Sequence, residues 1–157
     1  MKLLSLTISL CLLFSCNNNE KEREESKEKA EGSKKQTSLT NCYRYASATD
    51  TISLKLIHVA ETITGTLIYN LKEKDKNTGT IQGAMRGNLL VADYTFQSEG
   101  MQSVRQVVFK LEGNSFTEGY GAIDIQHDKA RFKNIDSLQF NSAMKLVETD
   151  CQLGLAL

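Results

Sequence analysis

From Asn41 onward, apolar residues recur at every second position in short runs separated by Gly, Asn and Asp, the pattern of antiparallel strands joined by tight turns. Residues 50–59 put Ile52, Leu54 and Leu56 on one face, and residues 61–71 do the same with Ile63, Leu67 and Tyr69. After the charged loop KEKDKNTG, a third run offers Ile81, Gly83 and Met85. Gly87-Asn88 is a two-residue hairpin signal that sets a register: Met85 opposite Leu90, Gly83 opposite Ala92 and Ile81 opposite Tyr94. Both apolar sets then share one face, with Thr80, Gln82, Asp93 and Thr95 on the other. A second hairpin about Gly113-Asn114 sets Leu111 opposite Phe116, Phe109 opposite Glu118 and Val107 opposite Tyr120.

The same parity carries Arg105 and Glu118 inward. Continued counting places Arg105 opposite Ala122, about four residues from Phe109, the partner of Glu118. Pairing the two charges therefore needs a shifted loop, approach across a barrel, or another acid. Beyond Gly121 the pattern weakens, with further strands expected at 130–132, 137–141 and 143–147 and with Leu138, Phe140, Met144 and Leu146 as core residues. About seven to nine short strands without an amphipathic helix predict an all-β domain, a small antiparallel meander closing into a lipocalin-like barrel or strongly coiled sheet. Closure would hide the strand edges. A β-sandwich is the alternative, because periodicity does not distinguish one closed sheet from two packed ones.

The first forty residues have a different character. Met1-Lys2 precedes an apolar run, residues 3–13, broken only by Ser5, Thr7 and Ser9. That run is shorter than the roughly 20 residues a membrane-spanning helix needs and reads as a secretory signal. Leu13, Ser15 and Cys16 resemble the lipobox of bacterial lipoproteins. The resemblance implies cleavage before Cys16, a diacylglyceryl group on its thiol and acylation of its new α-amine. Since stable anchoring takes about two lipid signals, such a residue holds a protein to the bilayer without a spanning segment. An ordinary secretory signal that happens to contain a cysteine is the plainer alternative.

Residues 17–36, NNNEKEREESKEKAEGSKKQ, contain almost nothing that could enter a core and are expected to form a solvated tether. Glu20, Glu22, Glu24 and Glu25 are similar to the acidic residues that follow the acylated cysteine in surface-exported lipoproteins of some Gram-negative groups. The expected organisation is a signal over 1–15, a lipidated cysteine and tether over 16–40, and one β domain over 41–157. The expected location is the outer membrane, facing either the periplasm or the cell surface.

Lysine plus arginine and aspartate plus glutamate each number 19, so no net charge draws this chain to nucleic acid. Of four cysteines, Cys11 falls in the signal and Cys16 at the anchor. Cys42 and Cys151 remain for an oxidising compartment. A bridge between them would close a loop of about 110 residues, for which chain entropy gives at most about 4.7 kcal/mol. Two separate buried thiols are the alternative. His58 and His127 lack ligand spacing with those cysteines, so neither metal nor any other cofactor is expected.

The chain contains no GxSxG, HExxH, phosphate loop or dinucleotide fingerprint, and a non-enzymatic role is expected. His127-Asp128 reads as a solvated turn, and KDKNTG lacks the acid spacing of a calcium loop. The expected partner is a small amphiphile in an apolar barrel interior, with Arg105, Glu118 and Tyr94 near the polar opening. The second expectation is an envelope protein, since SEGMQSVR is loosely similar to the Ser-Gly loop of lysozyme inhibitors, which are also small β-barrel lipoproteins. A hydrolase is the third and weakest reading. CYRY, GTLIYNL, KDKNTGTIQG, ADYTF and SEGMQSVRQVVF, spread between Asn41 and Tyr120, also resemble the single domain of small lipoproteins of the bacterial envelope, a group that brings no assigned activity.

Overall fold

A computed structural model describes residues 38–98 and 100–154; Cys11, Cys16, the signal and most of the tether lie outside the described residues. Among the described residues eleven strands follow in order: β1 (Leu39–Ala46), β2 (Thr51–Val59), β3 (Thr62–Asn70), β4 (Asn77–Arg86), β5 (Leu89–Ser98), β6 (Met101–Glu112), β7 (Ser115–Tyr120), β8 (Ile123–Gln126), β9 (Lys129–Phe132), β10 (Gln139–Phe140) and β11 (Leu146–Thr149). β1 to β6 form an antiparallel meander. β7 pairs with β6 and β11, and β11 pairs with β1, so eight strands close into a barrel. Closure excludes the sandwich and leaves the eight-stranded sheet without a free edge.

Both hairpin registers follow from turn chemistry. Met85 lies opposite Leu90, Gly83 opposite Ala92 and Ile81 opposite Tyr94. At the next turn Leu111 faces Phe116, and Phe109 faces Glu118. Gly87 and Gly113 occupy the left-handed region, at φ 61° and 62°, where a side chain is disfavoured. His127 and Asp128 have positive φ of 51° and 61° and make the exposed turn between β8 and β9, as their position in the sequence implied.

The inward positions form one core that includes Ile52, Leu54, Leu56, Leu67, Ile81, Leu90, Phe109, Phe116 and Leu146. These side chains are buried against one another and fill the interior, because bulky inward residues from all sides meet in a barrel of eight strands. Outside the wall, Val91 and Val108 are covered by Leu138, Phe132, Ile135 and Phe140, so the segment after β7 supplies a second, smaller core. Asp93 fastens that segment by accepting from Lys129 at 3.0 Å and Arg131 at 3.1 Å.

Two local expectations are corrected. Val107 does not face Tyr120, since the β6–β7 ladder stops at Phe109 and Glu118. The first half of β6 is taken by β9, in parallel at Val104 and Arg105, while Tyr120 pairs with Gln139 of β10. Gly119 permits this departure, for a Cβ there would approach the Phe140 ring to 2.8 Å. The strands foreseen at 137–141 and 143–147 are shortened, with single 3-10 turns at Ile135–Ser137 and Ser142–Met144 capped by the side chains of Asn134 and Asn141. Cys42 and Cys151 form the expected disulfide, tying β1 to the helical turn Cys151–Gly154.

Candidate functional site at the open end of the barrel

The hairpins at Gly87 and Gly113 close one end of the barrel tightly. The other end carries the longer connections, including the β3–β4 loop and the segment joining β7 to β11. Asp50 anchors the β3–β4 loop by accepting from the Lys72 backbone N–H at 2.6 Å. That bond is the main reason its carboxyl sits below the usual range. At this end the inward parity of β3, β6 and β7 continues beyond the apolar core and places Tyr69, Arg105, Glu118 and Tyr120 around a cup of about 440 Å³. Leu71, Phe96 and Met144 supply apolar wall, and Lys74, Asp75 and Asn77 line the loop side.

Glu118 is the buried centre of the site, 5% exposed. The Tyr69 hydroxyl donates to its Oε1 at 2.8 Å and the Tyr120 hydroxyl to its Oε2 at 3.0 Å. Arg105 Nη2 lies 3.5 Å from Oε1, with its side chain 38% exposed. Its guanidinium carbon also sits 5.2 Å from the Tyr69 ring centroid and 5.6 Å from that of Tyr94, within cation–π range. Burial pushes the Glu118 carboxyl up, while Arg105 and the two phenol donors pull it back. Burial also raises both phenols that serve this carboxylate, so they remain protonated donors at neutral pH.

Parity brought Arg105 and Glu118 together although their strand positions are not opposite one another. Arg105 faces Tyr94 on β5 and Ala130 on β9, not Ala122, and its long side chain reaches across the opening to Glu118. Of the possible resolutions, approach across the barrel is the one found. Tyr94 is placed differently from expectation: it is fully buried and lies beneath the cup rather than at the opening. Its ring stacks on Phe96 at 4.8 Å and meets Tyr69 edge-on at 5.8 Å. Burial pushes its phenol up to about 12, and its hydroxyl has no hydrogen-bond partner among the described residues. Gly79 accommodates this stack and the Thr95 backbone, because a Cβ there would run into the Thr95 carbonyl oxygen and come within 2.7 Å of the Tyr94 ring and 2.8 Å of Phe96.

Tyr69, Tyr120 and Asn77 belong to the site although the sequence pattern did not single them out for it. The signal for Tyr69 was its inward parity with Ile63 and Leu67. Nothing local marked Asn77, which pairs with Tyr69 across β3 and β4. No group of three or more metal-ligating side chains occurs among the described residues. Glu118 is thus engaged by two phenols and an arginine. No family model, curated protein or solved structure matches this chain.

Proposed function

We propose that this chain is a non-enzymatic binding module of the bacterial envelope, anchored through acylated Cys16 to the outer membrane and facing either the periplasm or the cell surface. Its ligand is a small amphiphile held at the open end of the barrel. The observation that carries this reading is the cup itself. It combines a partly exposed arginine, held over two aromatic rings and a buried carboxylate, with an apolar wall of Leu71, Phe96 and Met144. A concave site with a few convergent polar groups set in apolar surface is the usual form of a small-molecule site. The apolar run and lipobox-like residues at 3–16 support the anchor, and the disulfide agrees with an oxidising compartment.

The filled barrel restricts the ligand to the cup and favours, as a second reading, a protein-binding module of lysozyme-inhibitor type. In that reading the β5–β6 turn, where Met101 is 68% exposed, provides the contact. Native mass spectrometry of protein isolated from the envelope distinguishes the two. A co-purified small molecule displaced by Arg105→Met supports the first, and a stoichiometric envelope protein unaffected by that substitution supports the second and refutes the first.

A further inference from the structure

We infer that the cup takes a compact monocarboxylate, short in its apolar part. This specifies the ligand class of the binding reading above and rests on it. Two features of the molecule set the two properties.

The anionic group follows from Arg105. Both oxygens of Glu118 are occupied by phenol donors, and the guanidinium approaches one of them only to 3.5 Å. The planar fork of N–H donors is thus held in place by Tyr69 and Tyr94 yet only loosely engaged. Such a fork matches a carboxylate bidentately. A doubly charged phosphate would meet Glu118 and Asp75 with only Arg105 and Lys74 to offset it, so a single negative charge suits the cup better.

The size follows from the filled core. The inward side chains of Tyr94, Leu67, Leu90 and Phe109 are fully buried against one another, so an acyl chain has no room inside the barrel beyond the cup. A chain longer than the cup must leave its extra methylenes in water, where they add nothing to affinity.

The test is an NMR titration of the full-length chain, freed of lipid and detergent, with octanoate, octanol and palmitate. The expected result is that octanoate binds at least tenfold more tightly than octanol, because only the carboxylate engages the guanidinium fork. Palmitate should bind no more tightly than octanoate. Arg105→Met should weaken octanoate at least tenfold and bring it level with octanol. Should Arg105→Met not fold, Arg105→Lys, which keeps the charge and loses the fork, is expected to weaken octanoate in the same direction. Much tighter binding of palmitate overturns the size limit while leaving the amphiphile reading intact. Equal affinity for octanoate and octanol overturns the carboxylate and likewise leaves that reading intact. Absence of binding by all three overturns both this inference and the amphiphile reading.

Discussion

Replacing Arg105 by Met separates a guanidinium that serves the cup from one that holds the fold. The gross attraction at 3.5 Å is roughly 5 kcal/mol at an effective dielectric of about 20. Two facts reduce what the substitution costs. The arginine side chain is 38% exposed, and solvent screening brings such pairs toward the ~1 kcal/mol of surface ion pairs. Glu118 can also take up a proton, at about 1.4 kcal/mol for each unit between its pKa and the pH. Its carboxyl is already raised by burial, and loss of Arg105 removes the largest opposing influence and raises it further.

The folded variant therefore holds this proton more tightly than the unfolded chain, whose glutamate titrates near 4.3. Stability of the variant is greatest at low pH and falls as pH rises toward the folded-state pKa. The expected deficit against the parent is about 1–2 kcal/mol at pH 7, shrinking below about 0.5 kcal/mol at pH 5. Urea denaturation at pH 5, 6 and 7, followed by tyrosine fluorescence with the disulfide intact, measures it. A deficit of about 3–5 kcal/mol that stays flat across this range would mark a buried structural ion and refute the reasoning.

Glu118→Gln keeps an acceptor for Tyr69 and removes the charge. In that background Arg105→Met should cost less than about 0.5 kcal/mol, and a double-mutant cycle showing no coupling would refute a direct pair. Replacing Cys42 and Cys151 together by Ser should cost about 2–4 kcal/mol, measured by denaturation against the oxidised parent; an unchanged midpoint would deny the bridge a stabilising role. Gly79→Ala should cost at least about 3 kcal/mol and alter the near-UV signal of the tyrosines, because its methyl runs into the Thr95 carbonyl oxygen of the neighbouring strand as well as Tyr94 and Phe96; an unchanged midpoint would refute the close approach. Cys16→Ala should abolish incorporation of labelled palmitate in cells, and retained label would assign the anchor elsewhere.

Alternation and turn chemistry together determined the meander. Gly87-Asn88 and Gly113-Asn114 specify loops of fixed length, and a one-residue slip at either would turn every apolar side chain from the core to water. The disulfide was equally legible, since only Cys42 and Cys151 remained once Cys11 and Cys16 were read as belonging to an expected signal and anchor. The inward facing of Arg105 and Glu118 followed from parity alone, although their contact did not.

Tertiary structure decided how the wall closes and where the meander departs from simple counting. β11 returns to β1 from more than a hundred residues away, and no local pattern encodes a pairing at that separation. The fork of β6, shared between β7 and β9, was hidden for the same reason: it depends on Gly119 letting Phe140 close on β7 and on Asp93 gripping Lys129 and Arg131. That fork carries Tyr120 away from Val107 and leaves its hydroxyl to bond Glu118. Whether the barrel is hollow or filled was likewise beyond periodicity, which names the inward residues but not the space they leave. Tyr94 and Phe96 stack because Gly79, on the neighbouring strand, has no side chain to meet the Thr95 carbonyl oxygen, the Tyr94 ring and the Phe96 Cβ.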